Sequence, residues 1–546
     1  CRSCAAQQYT KRLIHTPIGV RLLPMTPEIA NLSNAARQAI ARRDWATVTA
    51  CANGILQRSP NEAEGFFLLG MAEKAAERPR NAVEAFEKVL GIDPDRYDAA
   101  VELASQHSMA RRNALVAELL ERYAPALDNS PRYLDLAGTV YTQIGLPEKA
   151  WPLFVKANEL QDNIPLFQAN LAACAVFVGE IDVAKETYRK LLDRTPQHQR
   201  NHYELARLER ATDRDHIDEM EAILAATDLP VERNVFLYFA LGKEYEDLGE
   251  WDKSFDFYER GGDAVMRVAD YAIETDVAII DKVIDVCSAD WLQSDAKPEG
   301  KTPIFVVGLP RTGTTLTERI IGSHSLVQSV GETEFAQMAI RRASGVQSPE
   351  KMTPEMLDAV RDLDISFFSS AYLDALSYRL KEQPYFIEKL PFNVLYLGFV
   401  AKAWPDAPMV LLRRNPMDSC FSMYKQVFTW AYKFSYSLEN LGTYYIAYER
   451  LCRHWQEVLG DRLVVVDYET LVANQEQETR RLLDGLGLEF EDACLGFDKN
   501  AAPSATASSI QVREKVHTRS VGKWKRFEQH LAPLRRQLEQ AGIDVE

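Results

Sequence analysis

From about residue 29 to 267, small and apolar residues recur at helical spacing, and the pattern itself repeats. Gly70, Ala82, Phe86 and Pro94 form one set; Gly138, Ala150, Phe154 and Asp162 repeat its spacing 68 residues later, twice 34. Ala172, Ala184, Tyr188 and Pro196 follow after another 34, Ala104, Val116 and Leu120 keep the phase, and Gly242, Tyr245 and Tyr258 restore it after a short insertion. Small residues let paired helices approach, aromatics fill the gap and proline stops the second helix, so the period predicts stacked helix pairs. Residues 268–291 read as one more helix and Gln293–Gly300 as a linker. Short apolar runs then appear at 304–307, 385–387, 409–412 and 463–466, alternating with longer helical stretches. That alternation predicts a parallel sheet flanked by helices, with ligands beyond the carboxyl ends of its strands.

The first run leads into Gly308-Leu309-Pro310-Arg311-Thr312-Gly313-Thr314-Thr315. A helical pattern follows, with Leu316, Ile320 and Ile321 on one face and Thr314 as the expected N-cap. A buried strand, a glycine turn and a helix N-terminus make an anion cradle, because backbone N–H groups and the helix dipole point at whatever lies there. Gly308 and Gly313 have phosphate-loop spacing, yet Thr314 stands where a nucleotide-binding loop carries lysine, leaving Arg311 as the loop's own cation. After the third run, Asn415 and Pro416 can open a helix displaying Ser419 and Ser422, and an arginine at the strand end with such a hydroxyl can hold a phosphate.

The 546-residue length calls for two or more domains, and 46% hydrophobic with 26% charged residues is the composition of a soluble globular chain. A net charge of −16 argues against a nucleic-acid partner and requires any anion site to concentrate its cations locally. The absence of a long apolar run predicts no membrane span. Eight scattered cysteines read as thiols in a reducing, cytoplasmic setting; Cys1 and Cys4 alone have metal-like spacing. Met25 looks like a natural start, so residues 1–24 read as upstream sequence.

Two resemblances follow from these residues. The 34-residue pattern resembles the tetratricopeptide repeat, in six or seven copies. Pro310-Arg311-Thr312-Gly313-Thr314-Thr315 resembles the 5′-phosphosulfate loop of sulfotransferases that use 3′-phosphoadenosine 5′-phosphosulfate (PAPS), and Arg414 with Ser422 eight residues on resembles their 3′-phosphate site. Tyr468 in Tyr-Glu-Thr-Leu, the loop Thr506–Arg513 with Ser509, and Gly522-Lys523-Trp524 extend the likeness over residues 303 to about 535. It is nearest to bacterial repeat-fused sulfotransferases and more distant from tyrosylprotein sulfotransferases.

The expected architecture is an extension over 1–28, an all-α repeat superhelix over 29–267, a helix and linker over 268–300, and a P-loop-like α/β sulfotransferase domain over 301–546. The resemblance implies PAPS as donor, no metal, Glu332 as base with Glu334 as alternative, Lys389 opposite charge building on the bridging oxygen, and Arg311 steadying the sulfuryl oxygens. His324, in a Ser-His-Ser setting, reads as structural. Tyr424, Phe428, Trp430, Tyr432, Phe434 and Tyr436 offer either an acceptor pocket or ordinary core. The acceptor stays open among peptide tyrosine, sugar, lipid and small phenol. The repeat groove would hold a protein or peptide partner, or serve homo-oligomerisation. A P-loop kinase and a repeat scaffold with a non-catalytic nucleotide-binding domain are the competing readings.

Overall fold

The computed structural model describes residues 26–546 except 299, 429, 430, 501, 505, 507, 508 and 510. The expected upstream segment 1–24 with Cys1 and Cys4, the start at Met25, the aromatic Trp430, and the loop positions Ala507, Ser508 and Ile510 therefore lie outside the described residues.

Fourteen α-helices run in sequence between Pro27 and Met266, from Pro27–Ala41 and Trp45–Arg58 to Val235–Leu248 and Trp251–Met266. The recurrent glycine has a packing reason. A Cβ on Gly70 would stand 2.5 Å from the Phe86 ring, one on Gly138 2.8 Å from Phe154, and one on Gly242 2.7 Å from Tyr258. In each pair the second helix lays its aromatic where the first has no side chain. The helix expected over 268–291 is Ile273–Val286.

Among the described residues five strands follow: β1 (Thr302–Val307), β2 (Val327–Gly331), β3 (Tyr385–Lys389), β4 (Met409–Arg413) and β5 (Leu463–Asp467). They form one parallel sheet in the order β2-β3-β1-β4-β5. The pleat sends alternate residues of β1 into different cores. Ile304 and Val306 pack with Ile320, Ile387, Val410 and Val464. Phe305 and Val307 join a second core with Tyr372, Phe386 and Trp455, and that core continues without a break into Phe239, Tyr258 and Val283 of the preceding helices.

The chain divides into two compact units, one ending at Asn170 and the other spanning Leu171–Glu546. Whereas secondary-structure type changes near residue 300, compactness does not, because the later repeat helices and the sheet share one core. No described helix is long and apolar enough to cross a membrane.

Candidate active site

All five strands deliver a candidate residue at their carboxyl ends, as an open parallel sheet requires. β1 runs into the glycine loop, β2 into Glu332, β3 ends on Lys389, β4 precedes Arg414 and β5 precedes Tyr468. In the loop, Gly313 has φ +102° and a Cβ there would stand 2.6 Å from Tyr468. Gly313 is also the N-cap of the helix Thr314–Ile321, which corrects the expected cap at Thr314. The left-handed conformation that turns the loop is open to glycine, whereas a threonine at the cap would resist it. Thr312 is buried and donates to the Leu309 carbonyl at 2.7 Å, so it braces the loop from inside.

A cavity of about 460 Å³ lies over these strand ends. Its wall includes Pro310, Arg311, Gly313, Thr314 and Thr315 of the loop, and Glu332, Arg414, Ser422, Tyr468 and Lys523 beyond it. The Arg414 side chain is only 6% exposed. It donates to the Arg311 carbonyl at 2.8 Å and the Ser520 carbonyl at 2.6 Å, and its charge lies 4.8 Å from the Tyr468 ring centre. Its Nε has no hydrogen-bond partner among the described residues. The helix Pro416–Tyr424 is capped as expected, the Asn415 side chain accepting from Met417 and Asp418 N–H, so that Ser422 reaches the cavity while Ser419 is buried. Burial, and then the neighbouring Arg207 and Arg414, push the Arg311 guanidinium down to about 10. Burial and Lys425 likewise lower Lys523. In a chain of net charge −16, this is a local concentration of cations that an anion would relieve.

Lys389 is buried below the wall, ion-paired with Glu332 and 3.8 Å from Glu318. Burial raises the Glu318 carboxyl despite Lys389. Glu334 occupies the N-cap position of the helix Phe335–Ser344 and pairs with Lys351 at 3.1 Å. His324 is buried with Nε2 2.9 Å from the Glu489 carbonyl and Nδ1 accepting from Leu326 N–H, a bracing position outside the cavity wall. Ser509 is also buried away from the wall; Thr506, from the same loop, reaches it and lies 3.4 Å from the Thr315 hydroxyl. Of the aromatic stretch, Phe428 and Tyr432 line the cavity, whereas Tyr424, Phe434 and Tyr436 belong to the core.

Residues 303–492 match the profile described as the sulfotransferase family, and residues 63–96 match the tetratricopeptide repeat. The chain carries a sulfotransferase-family domain behind a tetratricopeptide-repeat region. An uncharacterized protein of Aquifex aeolicus is 30% identical over 367 residues, 65% of this chain and 48% of that protein. Protein-tyrosine sulfotransferase 1 of Danio rerio is 26% identical over 231 residues, 40% of this chain and 65% of that enzyme. Protein-tyrosine sulfotransferase 2 of Gallus gallus is 25% identical over 238 residues, 40% of this chain and 62% of that enzyme. The chain thus spans about half to two thirds of the length of these relatives.

The sulfotransferase domain does not enclose the cavity alone. Tyr203, Arg207, Phe239, Lys243, Glu246 and Tyr258, all from the repeats, complete the wall. Lys425 pairs with Glu246 at 2.7 Å, and Gln426 donates to the Tyr203 hydroxyl at 3.0 Å. Burial works against the Glu246 charge, but Lys425 outweighs it and holds the carboxyl below its ordinary range. These residues carry no signal in the sequence beyond repeat packing, in which Tyr258 follows Gly242 at the repeat spacing.

Proposed function

We propose that the chain transfers a sulfuryl group from PAPS to an acceptor hydroxyl. The observation that carries this reading is the meeting of three guanidiniums, Arg207, Arg311 and Arg414, with a glycine loop and the Glu332–Lys389 pair at one cavity. The residues suit a donor bearing phosphates at both ends. Arg414 Nε is buried with no hydrogen-bond partner among the described residues, and Gly313 lets the loop lie against Tyr468, where a Cβ would stand 2.6 Å from its ring. On this reading the loop 308–315 holds the 5′ end, while Arg414 and Ser422 hold the 3′-phosphate with Lys523 nearby. The bound donor supplies the activated sulfuryl group.

The remaining chemistry belongs to the chain. Glu332 takes the acceptor's proton, a contribution of roughly 10²–10⁴-fold from a positioned base. Lys389, already beside Glu332, offers positive charge where negative charge develops, and Arg311 does so from the loop. Phe428, Tyr432 and the repeat residues Tyr203 and Phe239 give the acceptor an aromatic wall, which favours a phenol or a peptide tyrosine. The resemblance to protein-tyrosine sulfotransferases supports the same class of acceptor. A nucleotide kinase would need a lysine at the position of Thr314.

Calorimetric titration with 3′-phosphoadenosine 5′-phosphate in chelator tests the donor site. Binding is expected, weakened at least tenfold in Arg414→Ala, since a charge-assisted hydrogen bond is worth about 1.5–3 kcal/mol. A wild-type chain that binds nothing overturns the donor assignment. Sulfur-labelled donor incubated with tyrosine peptides then tests transfer.

A further inference from the structure

In the irregular stretch of the repeats, two histidines face each other away from the sulfotransferase cavity. His202 lies on the helix Gln199–Leu208 and His216 on the helix Asp215–Ala226. His202 Nδ1 and His216 Nε2 are 2.8 Å apart, with the rings stacked at 5.0 Å between centres. The outer nitrogen of each ring is engaged. His202 Nε2 is 2.6 Å from the Pro196 carbonyl, and His216 Nδ1 is 2.6 Å from Glu244 Oε1.

A carbonyl and a carboxylate only accept, so each outer nitrogen carries the N–H. In the neutral rings the two inner nitrogens then confront each other as lone pairs. That arrangement is repulsive unless a cation lies between them, either a proton or a metal ion. Glu219, one turn after His216, brings a carboxylate oxygen within 4.8 Å of a ring nitrogen of each histidine. Metal-binding histidines characteristically hand their other N–H to a carbonyl or carboxylate, which fixes tautomer and ring orientation. Here both do. Glu244 is buried, and its second oxygen has no hydrogen-bond partner among the described residues, so negative potential stands behind the His216 ring.

We propose that His202 Nδ1, His216 Nε2 and the Glu219 carboxylate bind a divalent transition-metal ion, with zinc the best match to two imidazoles and a carboxylate. Bonds of about 2.0–2.1 Å in a tetrahedral site set the nitrogens about 3.3 Å apart. The rings therefore need to part by about half an ångström from their 2.8 Å separation. Glu219 is exposed, which gives the ion a path in and leaves a fourth position to water. The ion would clip the two helices across the 209–214 connection. The helix Gln199–Leu208 also carries Tyr203 and Arg207 to the cavity wall, so the clip would steady part of that wall.

The full chain, stripped with chelator, is titrated with Zn²⁺ by calorimetry and with Co²⁺ by visible absorption. One equivalent should bind, with cobalt d–d bands and no thiolate charge transfer. Affinity should fall at least tenfold in His216→Ala and in Glu219→Gln. The Glu219 side chain is exposed, so its variant decides the question should His216→Ala fail to fold. Absence of binding to the wild type overturns the site. Undiminished binding in Glu219→Gln, or a thiolate spectrum, overturns it as well by assigning the ion to other ligands.

Discussion

Glu388, next to the proposed catalytic Lys389, is fully buried, and burial pushes its carboxyl up to about 8. Its Oε1 accepts from the Thr333 hydroxyl at 2.7 Å and from Asn393 at 2.9 Å, while Oε2 has no partner among the described residues. A raised pKa means that the folded protein keeps this proton where the unfolded chain has released it. Stability therefore falls as pH rises from the ordinary value of 4.5 to about 8. Glu388→Gln keeps an oxygen for both donors and removes the titration. Its thermal midpoint should match wild type near pH 5 and exceed it increasingly up to pH 8; a constant offset across that range would contradict the assignment. Glu332 calls for a different test. Glu332→Gln leaves Lys389 beside Glu318, so the buried ammonium keeps a carboxylate neighbour and the variant should fold. Nucleotide affinity should be kept and turnover lowered by about two orders of magnitude or more. Glu334→Gln, on a side chain already paired with Lys351, should be near wild type. The reverse pattern would move the base to Glu334.

Among the elements, the glycine loop carries the most specific expectation. Its conformation needs φ +102° at Gly313, and Tyr468 occupies the space a side chain would fill. Gly313→Ala should cost about 1–3 kcal/mol in backbone strain and displace Tyr468 from Arg414. Calorimetry should show nucleotide binding weakened tenfold or more, and unchanged affinity would mean the loop does not contact the ligand. Four of the five strands were legible as apolar runs. β2 was not, because Val327-Gln328-Ser329-Val330 holds two apolar residues at an edge, where one side of the ladder is unpaired. Cavity-lining residues were legible where a strand end or a turn leaves a local mark, as at Arg311, Arg414 and Tyr468. Ser509 was matched by motif alone, and its side chain is buried away from the cavity.

On the scale of the whole molecule, the repeats and the sulfotransferase domain are not independent modules from Leu171 onward. Phe239, Tyr258 and Val283 share a core with Phe305, Phe421 and Trp455, and Tyr203 and Arg207 wall the cavity. A fragment of residues 301–546 would expose that core and lose part of the wall. It should be insoluble or bind nucleotide at least tenfold more weakly than a fragment of residues 171–546. Equal affinity in a folded 301–546 fragment would show that the repeats do not contribute to the donor site.

The sequence by itself determined the repeat period, the parallel sheet, the glycine loop and the order in which strand ends present candidate residues. Each of these depends on residues a few positions apart, where helical spacing, pleat and turn chemistry operate. Only the tertiary structure decided which side chains share a space. Lys389 meets Glu332 across 57 residues, Lys425 meets Glu246 across 179, and Gln426 meets Tyr203 across 223. His202 and His216 likewise meet through the folding back of two helices. Contacts of that kind leave no periodic trace in the chain, because they arise from how whole elements pack.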